Sequence, residues 1–286
     1  MAFGTITARD ALDSALIALR AAGVESPRLD AELLVAAACG VDRAALVRDP
    51  ELALPPDAIA PLREAVRRRA FEREPLAYVL GSRHFRHIEL AVDHRVLIPR
   101  PETELLVEVA LALPRGARVL DVGTGSGAVA LALADERPDL VVAGSDSSED
   151  AVTVARANAA RLGLDVSFAA GDLLAPLQTG LLDGRVDAVV CNPPYVADGD
   201  RLTLAPEIVR HEPSGALFAG DDGLRTIRRL VAQAGAARVA WLALEVGAGQ
   251  ADTVTALMRA AGYREVETHP DLASIPRVLT AAWGPA

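Results

Sequence analysis

From about residue 101 onward, short apolar segments rich in β-branched residues alternate with helical stretches. This alternation constrains the fold more than any other feature of the chain. "ARVLDVG", "LVVAGSD", "VSFAAGD", "VDAVVCN" and "RVAWLALEVG" read as strands, with helices expected near 126–136, 149–162, 223–234 and 249–261. Such a pattern implies an α/β fold: a mostly parallel sheet covered on both faces, with any ligand at the carboxyl ends of its strands. The tail, "YREVETHPDLASIPRVLTAAW", supplies two further strands, expected as an antiparallel pair at the sheet edge. Residues 193–222 show neither a helical nor a strand period. A loop of that length inside a compact domain is usually functional or disordered.

The region before residue 75 reads as helical. "TARDALDSALIALRAAG" places apolar residues at helical spacing and ends at Gly23, while "SPRLDAELLVAAACG" starts with Ser26 as N-cap and Pro27 at the first helical position and stops at Gly40. A third helix is expected across "PDAIAPLREAVRRRAFER", with Arg67, Arg68 and Arg69 read as a solvated face. "HFRHIELAVDHRVLI" alternates in the manner of a hairpin. The expected domains are therefore a helical one over residues 1–80, a hairpin linker over 81–100 and an α/β domain over 101–286.

Charge and cysteine usage bear on partners and compartment. All 29 basic residues are arginine, and the net charge of −10 is uneven: 13 Arg face 14 acids in residues 1–95, against 16 and 25 in residues 96–286. An acidic second part is a poor surface for a phosphate backbone, although a local basic patch overrides net charge. Cys39 and Cys191 lie far apart in apolar settings without metal-type spacing, so both are expected as core residues in a reducing compartment. No apolar run reaches the ~18 residues of a membrane span, and the N-terminal stretch lacks the basic n-region of a secretory leader. A cytoplasmic location with no membrane contact and no bound metal is the expectation.

The chemistry is carried first by "VLDVGTGSGAVALALA", a strand that runs through Asp121 and Val122 into Gly123, Thr124, Gly125, Ser126 and Gly127, then into a helix. Glycines there let the backbone turn tightly and approach a ligand at the helix start. The spacing is GxGxG, not the dinucleotide GxGxxG, and an acid precedes it. A carboxylate in that place suits a cationic ligand bearing an amino group, such as S-adenosylmethionine. Asp146 ends the next strand, 19 residues beyond Gly127, where a ribose-binding acid is expected. Asp172 ends the third, placed to accept from an adenine amino group. Singly, each acid reads as a turn former; three at successive strand ends favour a cofactor site.

The fourth strand ends in Asn192, Pro193, Pro194 and Tyr195. The Asn192 side chain offers an acceptor and a donor, Pro193 keeps a carbonyl but has no N–H, and Pro194 fixes φ. Tyr195 adds a flat face for a planar amide or base. "DVGTGSG" with "NPPY" resembles S-adenosylmethionine-dependent methyltransferases acting on planar nitrogens, which include nucleobase as well as amide enzymes.

Further segments narrow the resemblance. "RLDAELLVAAACG", "EPLAYVLGSRHF", "VLIPRPETELLVE", "HEPSGALFAGDDGL", "ALEVGAGQ" and "DLASIPRVL" are similar, in order, to the release factor glutamine methyltransferase family, from about residue 28 to 282. "IPRPETE" is the most diagnostic. The serine pair after Asp146, "SIPR" before the last strand, and Leu173 where relatives often carry a larger or aromatic residue are mild departures.

The resemblance implies a class I methyltransferase Rossmann-like sheet behind a small helical docking domain. It also implies methyl transfer from S-adenosyl-L-methionine, leaving S-adenosyl-L-homocysteine, to the glutamine amide nitrogen of the Gly-Gly-Gln loop in class I peptide chain release factors. On this reading Asp121 and residues 122–127 lie along the cofactor's methionine part. Asp146 takes the ribose, Asp172 and Leu173 border the adenine, and Asn192 also touches the cofactor. Asn192, Pro193, Pro194 and Tyr195 form the reaction centre, with Arg100 and Glu102 shaping its wall. A monomer with no direct nucleic-acid contact is expected; the competing assignment is a methyltransferase for adenine or guanine amino groups of nucleic acid.

Overall fold

The computed structural model describes residues 5–284. Its residue contacts divide the chain into two units. One comprises the described residues through Gly81 together with Ala205–His211; the other comprises Ser82–Leu204 and the described residues from Glu212 onward. The hairpin thus groups with the sheet-bearing unit.

The helical unit contains α1 (Ala8–Ala21), α2 (Pro27–Cys39), α3 (Arg43–Arg48), α4 (Ile59–Arg67) and α5 (Leu76–Leu80). A capping box starts α1, in which the Thr7 hydroxyl accepts from Asp10 N at 3.2 Å and the Asp10 carboxylate accepts from Thr7 N at 3.1 Å. Leu19, Leu34 and Val35 fill the space behind these helices. Ser26 does occupy the N-cap of α2, but its hydroxyl makes no capping bond; Pro27 in the first turn and Gly40 in the left-handed region mark the ends instead.

The arginine run departs from the expected solvated face. Arg69 is buried, donating to Asp30 Oδ2 at 2.7 Å and to Glu207 Oε1 at 2.9 Å. The reason is geometric: successive helical residues point roughly 100° apart, so three in a row cannot share one face. A π-helical turn over Arg68–Glu72 follows α4 directly.

The second unit starts with the hairpin β1 (Ser82–Phe85) and β2 (Ile88–Ala91), then α6 (Glu104–Ala110), β3 (Arg118–Val122), α7 (Ala128–Glu136), β4 (Val141–Asp146), α8 (Glu149–Leu162) and β5 (Ser167–Ala170). It continues with α9 (Ala175–Gln178) and β6 (Ala188–Cys191). After α10 (Pro206–His211), which groups with the helical unit, come α11 (Arg225–Ala236), β7 (Trp241–Glu245), α12 (Ala251–Ala260), β8 (Tyr263–Pro270) and β9 (Pro276–Trp283).

The seven-stranded sheet runs β5-β4-β3-β6-β7-β9-β8. Its first five strands pair in parallel, and β9 joins β7 and β8 antiparallel at the edge. Strand order reverses between β3 and β6, where the connections leave in opposite directions and open a crevice. Val122 pairs with Cys191 across that junction, so the glycine turn and Asn192 leave adjacent strands at the same level. Buried Asn158 on α8 holds the hairpin to this end of the sheet. Its Oδ1 accepts from Ala91 N at 2.8 Å while its amide donates to Ser126 O at 2.9 Å.

The segment after Tyr195 is more ordered than its sequence suggests. A parallel bridge joins Val196 to Phe218, and 3₁₀ turns cover Asp198–Thr203 and Ser214–Ala216 on either side of α10. Turns of three to six residues are too short to show a period. Among the described residues no helix is long and apolar enough to cross a membrane.

Candidate active site

A cavity of about 270 Å³ opens at the carboxyl ends of β3, β4, β5 and β6. Of the residues singled out in the sequence, Val122, Gly123, Gly125, Asp146, Asp172 and Leu173 line it, as do Asn192, Pro193 and Pro194. The fold thus gathers four strand ends onto one space.

Two of the glycines form its floor. Gly123 and Gly125 have φ of +73° and +55°; a Cβ on Gly125 would meet nothing within 4 Å and one on Gly123 only Asn192 O at 3.9 Å. The space beside them is open. Gly127 serves packing instead, because a Cβ there would lie 2.8 Å from Leu131 Cδ1.

Asp146 points its carboxylate back onto the turn, Oδ2 accepting from Gly125 N at 3.0 Å and Oδ1 from Ser148 N at 2.9 Å. Burial nevertheless pushes its carboxyl upward, partly offset by those backbone donors. Asp172 pairs with Arg229 of α11, and both are half-exposed. Leu173 is held at φ +51°, with the Ser145 hydroxyl donating to its carbonyl at 3.3 Å.

Asp121 stands behind the turn and does not line the cavity. It is 2% exposed, and its Oδ2 accepts from the Thr124 hydroxyl at 2.7 Å and from Ala130 N at 3.2 Å, fixing the turn to the start of α7. Thr124, Ser126 and Gly127 likewise lie outside the lining. Burial pushes the Asp121 carboxyl up to about 7.

Around Asn192 the structure supplies partners that sequence reasoning passed over. The Asn192 amide group donates to Thr103 Oγ1 at 2.9 Å, leaving Oδ1 and the second N–H available to a ligand. Thr103 belongs to "IPRPETE", where it is the one uncharged hydroxyl residue. Arg100 does not reach the cavity; it pairs at 2.5 Å with Glu212, whose other oxygen accepts from Ile98 N at 3.2 Å. Glu102 is exposed.

Tyr195 packs its ring against Gly247, where a Cβ would lie 3.1 Å from Cδ2, and its hydroxyl lies 3.4 Å from Glu245 Oε1. Glu245 closes β7 and is 1% exposed. Burial pushes its carboxyl up to about 7, against the Thr103 and Tyr195 hydroxyls and the Arg277 guanidinium, which act to lower it. It was legible by the rule that found the other acids: it ends the fifth parallel strand. Cys191, just before Asn192, is a buried thiol whose pKa burial and the carboxylates of Asp121, Asp146 and Glu245 push well up, so it stays protonated and inert. Among the described residues no His, Cys, Asp and Glu cluster suited to a metal ion occurs.

The two buried acids predict a pH dependence of stability. Asp121 and Glu245 titrate near 7 when folded and near 4 when unfolded, so between those values the native chain holds more protons than the unfolded one. Stability in the absence of ligand should therefore fall as pH rises from about 4 to 7, by up to about 3–4 kcal/mol for each acid. Urea denaturation at several pH values checks this, and Asp121→Asn should flatten the slope.

Two family models match the chain, the "PrmC N-terminal domain" over residues 10–81 and the "Methyltransferase small domain" over residues 101–220. Among curated relatives, the release factor glutamine methyltransferase of Deinococcus radiodurans is 43% identical, covering 96% of this chain and 97% of its own length. That of Mycolicibacterium smegmatis is also 43% identical, covering 96% of each chain. Among solved structures, the hMettl16 catalytic domain in complex with MAT2A 3′UTR hairpin 1 superposes with a TM-score of 0.55 at 14% identity, over 82% of this chain and 84% of that one, a likeness of fold alone. With near-complete coverage by such relatives, and with the glycine turn and Asn-Pro-Pro-Tyr set at adjacent strand ends, the chain belongs to the release factor glutamine methyltransferase family.

Proposed function

We propose that this chain methylates the side-chain amide nitrogen of the glutamine in the Gly-Gly-Gln loop of class I peptide chain release factors, with S-adenosyl-L-methionine as donor. The observation that carries the reading is the bond from the Asn192 amide group to Thr103, which leaves Oδ1 free to accept from a ligand. A primary amide of a substrate has two N–H groups to place, and Asn192 Oδ1 with the Pro193 carbonyl are two acceptors on consecutive residues.

The residues present fit the cofactor. Gly123 and Gly125 leave unobstructed space along the turn, Asp146 offers carboxylate oxygens for a ribose diol, and Leu173 beside Asp172 offers an apolar edge and an acceptor for adenine. Asp121, when ionised, contributes negative charge from behind the turn, toward the cofactor's amino end. When bound, S-adenosylmethionine supplies a methyl group made electrophilic by its sulfonium. The protein's own part is to orient and to stabilise. An amide nitrogen is a poor nucleophile because its lone pair is shared with the carbonyl, so fixing its direction counts for more than removing a proton early. Asn192 Oδ1 and Pro193 O also stabilise positive charge developing on nitrogen, an interaction that strengthens toward the transition state. The helical unit is the proposed docking surface for the release factor.

The test is incubation with labelled cofactor and, separately, purified release factor, tRNA, rRNA and DNA. Label is expected on the release factor's Gly-Gly-Gln peptide. Label on nucleic acid with none on that peptide overturns the proposal.

A further inference from the structure

The Thr103 hydroxyl has one lone pair engaged by Asn192, and its proton is still to be placed. Beside it lies Glu245, whose carboxyl the Thr103 hydroxyl acts to lower, whose Oε1 has a long contact to the Tyr195 hydroxyl and whose buried Oε2 has no hydrogen bond of good geometry. A buried carboxylate oxygen without a donor is costly, and the Thr103 proton is the nearest remedy the site provides. Glu102 raises the Glu245 carboxyl and Arg277 of β9 lowers it, so charges on both neighbouring elements already act on this group. The surroundings are otherwise the buried ends of β6 and β7.

We infer that Glu245 and Thr103 are positioning residues which set the polarity of the Asn192 side chain. The Thr103 hydroxyl donates to Glu245, can then only accept from the Asn192 amide, and so holds Oδ1 toward the substrate. A side-chain amide has two nearly isosteric orientations, and the flipped one would turn N–H groups toward the substrate's N–H groups. Glu245 makes that orientation unfavourable without touching substrate itself. This deepens the proposed function and rests on its reading of Asn192 as the substrate's acceptor.

The same carboxylate also takes the Tyr195 hydroxyl, so one buried acid at the end of β7 orients both polar ends of the Asn-Pro-Pro-Tyr segment. That arrangement gives an acid a use in a place where burial disfavours its charge.

The test uses the full chain with release factor as substrate, measuring kcat, KM for the release factor and cofactor Kd by calorimetry. Thr103→Val keeps the shape and removes the hydroxyl. It should lower kcat about tenfold, the worth of one hydrogen bond, with cofactor Kd unchanged within about twofold. Thr103→Ser should recover the rate that valine loses. Glu245→Gln, which places an N–H₂ where only acceptors stood, should also lower kcat about tenfold, and the double variant Thr103→Val/Glu245→Gln should be little slower than either single one. Multiplicative losses in the double variant, or a serine variant as slow as the valine one, would show two independent structural effects and overturn the relay. Wild-type kcat in Thr103→Val overturns it too, while leaving the proposed function intact. Absence of label on the release factor with the unaltered chain removes both.

Discussion

Asn192→Ala is expected to lower kcat for release-factor methylation by roughly 10²–10³-fold, the scale on which a preorganised transition-state contact acts. The substitution deletes Oδ1 and with it one of the two proposed acceptors for the attacking nitrogen, and it frees the Thr103 hydroxyl from its donor. Cofactor affinity should change by no more than about threefold, because the glycine turn and the carboxylate of Asp146 are untouched. Asp146→Ala supplies the contrast. It removes the acceptor for Gly125 N and Ser148 N and should weaken cofactor binding first, by about tenfold, with a smaller effect on kcat at saturating cofactor. Calorimetric Kd values beside single-turnover rates separate the two. If Asn192→Ala weakened the cofactor as much as it slowed transfer, Asn192 would serve the donor and the amide reading would be wrong.

The residues involved show which parts of this site a sequence discloses. Period and turn chemistry place the strands, and the strand-end rule of parallel sheets brings Asp146, Asp172 and Asn192 to one cavity from positions far apart in the chain. The same rule applied once more reaches Glu245. Gly247 and Gly249 follow it at the spacing of Gly123 and Gly125 after Asp121, yet its partners come from elsewhere: Thr103 before α6 and Tyr195 after β6. Asp121 illustrates the converse. Its position in the sequence is that of a ligand contact, yet its oxygen is spent on Thr124 and Ala130, a distinction that only side-chain geometry draws. Arg69 and Glu207 are 138 residues apart, and no local pattern announces an ion pair at that separation. The reading of Arg67 to Arg69 as one face failed for a reason the helix period already contained.

Gly223→Ala is expected to be the most damaging single methyl in this unit. Gly223 sits at φ +72° just before α11, and a Cβ there would lie 2.2 Å from Tyr195 O, 2.9 Å from Tyr195 C and 3.0 Å from Gln250 Nε2. Two of those three atoms are backbone, so no rotamer change relieves the overlap. The turn from Gly220, which accepts from Gly223 N at 3.2 Å, and the Asn-Pro-Pro-Tyr segment must move apart, and Pro193 and Pro194 leave the latter little freedom to yield. The Gln250 amide, which donates to Tyr195 O at 3.0 Å, loses its geometry in the same movement. Gly249 isolates the strain term: at φ +82° with nothing within 4 Å of its Cβ, Gly249→Ala meets only the left-handed penalty, about 1–2 kcal/mol. Gly223→Ala should cost at least about 4 kcal/mol by urea denaturation, and any folded fraction should transfer methyl slowly because the carbonyl two residues from Pro193 has been displaced. Equal losses for the two variants would mean that the turn yields freely and does not brace the reaction centre. A larger loss at Gly223 makes the close approach of these two backbones a device that holds the Pro193 carbonyl where the substrate amide needs it.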